Sequence, residues 1–275
     1  MNFLFTLDKK YIEPLKMCLL SIMRFPSKDG WNVYIITKNT DDFNDFAGNM
    51  ERLKEGLKIH LIEADDSIFK GFPETVRYSK VVYYRIFASE FLPKNMDRVL
   101  YLDPDIIVIN SLEELYNTDL DGYYYAVCSH TKTFLNDVNR IRLGMKKNTP
   151  YINSGVMLMN LDELRRNQTI KEVFDYVKKY GKHFILPDQD IISALYGDKI
   201  NLLDTLKYNI SDRIIKMNNL NPKNEYIDIN WVWENSVIIH YYGENKPWKD
   251  DYNGILGRFY EDIAKLAKEK NIFEN

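Results

Sequence analysis

Two aspartates, Asp103 and Asp105, stand in the apolar stretch RVLYLDPDIIVI. Residues i and i+2 of an extended segment point the same way, so both carboxylates can face one site. Side by side they repel, and one would hold its proton unless a cation lay between them. Carboxylate oxygens suit Mg²⁺ or Mn²⁺, ions that commonly complete their shell with phosphate oxygens. Turn capping around Pro104 explains the triplet alone equally well. The same spacing recurs at Asp119/Asp121, in the turn-like NTDLDGY, and at Asp188/Asp190.

His240 ends a second apolar run, VIIH, and opens HYYGENKPW. An imidazole beside two carboxylates favours Mn²⁺, with Mg²⁺ the alternative. Behind it, Gly243 lets backbone approach a ligand closely, and Lys246 is a compact cation suited to phosphate. Arg85 is the only cation between Lys80 and Lys94, in a segment with much apolar surface. It needs an anionic partner, which a structural salt bridge or a ligand can supply. Asn153 and Ser154 precede Gly155 in a strand-like run, a pattern that fits a ligand approach or a bulge. Asp188 follows Pro187 at a helix start, where an N-cap accounts for it.

Apolar periodicity predicts the elements that carry these residues. Strands are expected over 2–7, 32–37, 57–64, 98–102, 123–128 and 151–161, and a short one from 236. Helices are expected from about 11 to 25, with Leu15, Cys18, Leu19 and Ile22 on one face, and over 41–55, 79–91, 170–180 and 188–196. Residues 201–235 read as less regular. A last helix carries Ile255, Phe259, Ile263 and Leu266 on one stripe. Alternating strands and helices predict an α/β fold with a mixed, mainly parallel sheet flanked by helices. The expected organisation is one domain over 1–250 and a helical appendage over 251–275.

The chain has 275 residues, 45% hydrophobic and 28% charged, with a formal net charge of −3. No basic footprint for nucleic acid is present. Two cysteines give neither a zinc spacing nor a disulfide framework. No window reaches the roughly 18 apolar residues of a membrane span, and no secretory signal pattern opens the chain. A cytoplasmic protein is expected. The segment 258–275 has four cations and four anions. That balance leaves room only for weak membrane association.

Taken in order, FTLDKKY, YYRIF, VLYLDPDIIV, YINSGVMLMNL, LPDQDII and HYYGENKPW make the chain resemble the family 8 retaining glycosyltransferases. These include bacterial lipooligosaccharide galactosyltransferases and, more distantly, glycogenin. The resemblance runs from Phe5 to about Trp248. It implies a GT-A-like nucleotide-sugar fold, a UDP-hexose donor, Mn²⁺ on its diphosphate, and a glycan or glycolipid acceptor. It implies Asp103, Asp105 and His240 as metal ligands, with Pro104 in the same donor segment. It places the nucleoside on Thr6, Asp8 and Tyr11, and the diphosphate on Gly243 and Lys246. The donor sugar falls to Lys80, Arg85, Asn153, Ser154, Asp188 and Gln189, the last two also catalytic. Lys10 stands where the galactosyltransferases have Asn. SHTKTFLND, after Cys128, lacks their acceptor-binding aspartate, which implies a different acceptor.

Two rival readings compete. Phosphatases of the haloacid dehalogenase type also place D-x-D after an apolar strand, but they want Thr or Val where this chain has Ile107. A non-catalytic nucleotide-sugar-binding protein is the other.

Overall fold

The computed structural model describes residues 1–74, 79–130 and 133–269. Its main sheet is built from β1 (Asn2–Thr6), β2 (Trp31–Thr37), β3 (Leu57–Glu63), β4 (Arg98–Leu102), β6 (Tyr125–Val127), β7 (Val156–Asn160) and β8 (Ile200–Leu202). The strand order is β3-β2-β1-β4-β7-β6-β8. The first four strands are parallel, whereas β7 runs against both β4 and β6. A separate two-stranded sheet pairs β5 (Ile106–Val108) with β9 (Ile238–His240) antiparallel.

Strand alternation feeds two cores. Phe3, Phe5, Val33, Ile35, Leu100 and Leu102 face one, and Leu4, Tyr34, Ile36, Val99 and Tyr101 the other. Burial on both faces is what parallel strands covered by helices require. The longer helices are α1 (Ile12–Ile22), α2 (Asn44–Leu53), α3 (Thr133–Leu143), α4 (Ile170–Tyr180), α5 (Pro187–Tyr196), α6 (Asp212–Asn219) and α7 (Gly257–Glu269).

Several boundaries differ from expectation. The strand expected over 151–161 begins only at Val156, because residues 151–155 turn into the site. The helix expected over 79–91 is an α-turn, Val81–Tyr84, then a 3-10 turn, Arg85–Phe87, then Ala88–Phe91. The less regular stretch holds α6 and two shorter helices, Thr205–Tyr208 and Ile229–Asn235. The helix α3 is not among those expected. On α7 the buried stripe is Phe259, Ile263 and Ala267, preceded by Leu256; Ile255 lies ahead of the helix and is exposed. This stripe joins the core under α1, and the expected tail at 270–275 lies outside the described residues.

β1 neighbours both β2 and β4, so the chain reverses its direction of strand addition between β1 and β4. In open α/β sheets a crevice opens at such a point, beyond the carboxyl ends of the strands.

Candidate active site

Asp103 follows β4 directly, Asp105 precedes β5, and His240 ends β9. Ile106 pairs opposite His240, and the Tyr241 N–H donates to the Asp105 carbonyl at 3.0 Å. This ladder sets the imidazole against both carboxylates. Its Nε2 lies 3.6 Å from Asp103 Oδ2 and 3.3 Å from Asp105 Oδ1. His240 Nε2 and Asp105 Oδ1 are nevertheless buried without a hydrogen-bond partner. Leaving both unpaired is costly, and a cation between them removes that cost. One ligand atom from each of the three residues lies within 4.8 Å of the others. Gly155 closes the back of this cradle: a Cβ there would collide with the His240 ring and sit 2.9 Å from Asp103 Oδ2. Two carboxylates and an imidazole fit a divalent ion such as Mn²⁺.

Cations already crowd the two aspartates. Lys246 Nζ contacts Asp105 Oδ2 and donates to the Tyr241 carbonyl at 2.8 Å. Burial pushes the Asp105 carboxyl up, but the His240 ring and Lys246 outweigh it and hold it well below the usual range. Gly243, three residues before Lys246, has φ +90°, a backbone that a side chain would strain. Arg85 Nη1 lies 3.1 Å from Asp103 Oδ1 and 3.1 Å from Asp188 Oδ2. Its guanidinium stacks 4.3 Å above the Tyr101 ring, whose hydroxyl donates to Asp103 Oδ1 at 2.6 Å. Burial works against the Arg85 charge, but Tyr101, Asp103 and Asp188 more than restore it.

Asp188 is not an N-cap. Leu186 holds that position, and Pro187 opens α5. The Asp188 carboxylate instead accepts from Ser154 Oγ at 2.7 Å and pairs with Arg85. Burial pushes its carboxyl up, against the pull of Arg85 and Ser154. Gln189 Oε1 accepts from the Ser154 N–H at 3.3 Å and from Asn153 Nδ2 at 3.4 Å. Asp190 is fully buried and structural: its oxygens accept from Arg142, the Tyr151 hydroxyl and the Ile185 N–H.

Thr6 ends β1, Asp8 caps the short turn Lys9–Tyr11, and Tyr11 is partly buried beside them. Of the residues assigned in the sequence to metal, donor or catalysis, all but Lys80 line one cleft of about 1420 Å³. That exceeds the ~300–1,000 Å³ typical of a single small-ligand pocket. Lys80 pairs with Glu74 at 3.7 Å and is not among the lining residues. Three residues escaped sequence reading. Tyr101 looked like core. Asn209 is fully buried in the irregular stretch. His130 lines the cleft with its ring 5.0 Å from Tyr242, and burial pushes it down to about 3. Thr131 and Lys132 of SHTKTFLND lie outside the described residues.

The model for "Glycosyl transferase family 8" matches residues 2–252. A lipopolysaccharide 1,2-glucosyltransferase of Escherichia coli is 25% identical over 270 residues, covering 97% of this chain and 78% of that protein. The lipopolysaccharide glucosyltransferase WaaO of Escherichia coli K12 is 26% identical over 249 residues, covering 88% of this chain and 71% of its own. In fold, the chain is similar to galactosyltransferase LgtC, solved in complex with donor and acceptor sugar analogues. The TM-score is 0.79 at 23% identity, with 98% of this chain and 100% of that one covered.

Proposed function

This chain belongs to glycosyl transferase family 8, and we propose that it moves a hexose from a UDP-sugar to a glycan or glycoconjugate acceptor, retaining the anomeric configuration. One observation carries the reading. Asp103, Asp105 and His240 converge, the last two with unpaired buried atoms, in a cleft that also holds Arg85, Asp188 and Gln189. The three converging residues would hold Mn²⁺ or Mg²⁺, which when bound supplies positive charge to a departing diphosphate. A lipopolysaccharide-type acceptor is supported by the names of the glucosyltransferase relatives. Glucose and galactose are the two candidate sugars. A cytoplasmic setting fits two cysteines, Cys18 and Cys128, that are both free and buried.

The chain's own residues divide the work. Thr6, Asp8 and Tyr11 hold the nucleoside at the end of β1. Lys246 sits on a loop freed by Gly243 and meets charge that develops on the diphosphate. Arg85 fixes Asp188, leaving that carboxylate to orient a sugar hydroxyl. Double displacement needs a carboxylate free to attack the anomeric carbon. Asp188 is tied to Arg85 and Ser154, and Asp190 is fully engaged. Front-face attack therefore suits the site better, with Gln189 beside the sugar and the departing phosphate taking the acceptor proton. Residues 1–250 would form the catalytic domain, with 251–275 added to it.

Thermal melting with UDP and Mn²⁺ tests the reading. At a hundredfold excess over Kd, a ligand specific for the folded state adds about 2.7 kcal/mol. For a chain of this size that is a rise of several degrees. Wild type should show the rise only with both partners present, and Asp105→Ala should lose it. No rise in wild type at saturation, together with release of phosphate from a simple phosphomonoester, would turn the assignment to a phosphatase.

A further inference from the structure

Asparagine amides can be drawn either way round, but here two backbone N–H groups remove the ambiguity. The Gly155 N–H, which can only donate, points at Asn153 Oδ1 at 3.2 Å. The Ser154 N–H likewise fixes Gln189 Oε1 as an acceptor, 3.3 Å away. Asn153 therefore turns its oxygen toward Asn209 and its amide nitrogen toward Gln189. The Asn209 group facing that oxygen, 2.9 Å away, must be the NH₂. Asn209 Oδ1 is left facing His240 Nδ1 at 2.9 Å. An amide oxygen only accepts, so Nδ1 must carry the imidazole proton.

In a neutral ring, a proton on Nδ1 leaves the lone pair on Nε2, the form in which the ring can ligate a cation. That atom is the one that faces Asp103 and Asp105 without a hydrogen-bond partner. Asn209 is fully buried, its own N–H is bonded to the Thr205 carbonyl at 3.0 Å, and Ile210 next to it is bridged to Ile239 of β9. Its backbone is held in place on both sides.

We propose that Asn209 is a positioning residue: it locks His240 in the Nδ1-protonated tautomer and, through Asn153, ties that ring to Gln189 in one hydrogen-bonded chain. The tautomer follows from the chain's own geometry; its consequence for cation binding rests on the function proposed above. Partners that orient a ligating histidine typically change metal affinity 10–100-fold when removed.

The test starts without metal. The chain has four histidines, and ¹⁵N-histidine NMR at pH 8, with His240 assigned from the signal missing in His240→Gln, reads the tautomer. A ring protonated on Nδ1 alone is expected. An Nε2-protonated or doubly protonated ring overturns the proposal. Next, Mn²⁺ is titrated alone by electron paramagnetic resonance. Asn209→Leu, similar in size but unable to accept, should weaken Mn²⁺ binding at least ~10-fold while still melting cooperatively. Binding equal to wild type in that variant overturns the proposal. Should it not fold, Asn209→Asp, which keeps an oxygen toward Nδ1, decides: it retains the tautomer or the proposal falls. Wild type that shows the expected ring yet binds no Mn²⁺ supports the tautomer and sinks the cation reading instead.

Discussion

At the scale of single residues, the site is a set of buried charges that neutralise one another. Arg85 serves two carboxylates and one aromatic face, and only 7% of its surface is exposed. Removing one partner of such a group leaves an uncompensated buried charge, at a cost of about 3–5 kcal/mol. Arg85→Met should lower the urea midpoint accordingly. Adding Asp188→Asn should recover part of the loss, because Asp188 is the carboxylate left most deeply buried. Equal stability of Arg85→Met and wild type would contradict this account. Asp103, Asp105 and His240 were legible in the sequence because each ends or adjoins an apolar run, where a polar residue needs a reason. Asn209 was not. A buried asparagine in an irregular stretch has no periodicity to violate, and its role appears only when β9 brings His240 beside it. For Asp188 the resemblance implied a site role, while the local explanation, a helix N-cap, is the one the structure overturns.

At the scale of elements, register assembles the site. Leu102 pairs with Val156 across β4 and β7, and the Asp103 N–H donates to the Gly155 carbonyl at 2.8 Å. Residues 151–155 therefore arrive beside Asp103 as a loop, although their composition continues the strand pattern. Asn153, Ser154 and Gly155 hinted at a ligand approach or a bulge, but the apolar run around them hid where the strand begins. Gly155 has no room for a Cβ. Gly155→Ala should push the His240 ring and Asp103 apart and weaken Mn²⁺ binding by about tenfold, a loss of the size that mispositioned ligands produce. Its melting temperature should move much less than that of Arg85→Met. On the facing pair, Ile106 lies opposite His240. A slip of one residue would turn the imidazole to the far face, so the β5–β9 register is a condition of the chemistry.

For the whole molecule, pH and metal are the variables to turn. His130 titrates at about 3 in the folded chain against an ordinary 6.5. As pH falls from 6.5 toward 3, the unfolded chain takes up this proton and the folded chain does not, so stability falls with acid in that window. Asp105, held low, keeps its contribution above the ordinary carboxylate 3.8 and loses it only in stronger acid. His130→Gln should remove up to ~1.4 kcal/mol per pH unit of the slope between 6.5 and 3. Denaturation of wild type and variant at pH 7, 6, 5 and 4 measures it; parallel curves would refute it. Much of the architecture was legible, since alternation and helical periodicity give the parallel half of the sheet. The reversal at β7 was not, because antiparallel and parallel neighbours bury the same residues.

The contact between Lys246 and Asp105 has a consequence for how the protein waits. An ammonium group stands on the carboxylate that a divalent ion would claim, so in the idle chain Asp105 already has a counter-charge. Folding then does not hang on a metal supply, unlike domains whose ligands repel one another until an ion arrives. Chelator-treated protein should melt in one cooperative step, and manganese starvation should leave it dormant and intact. A divalent ion would have to displace that lysine, so the seat is held by the chain's own charge until something takes it.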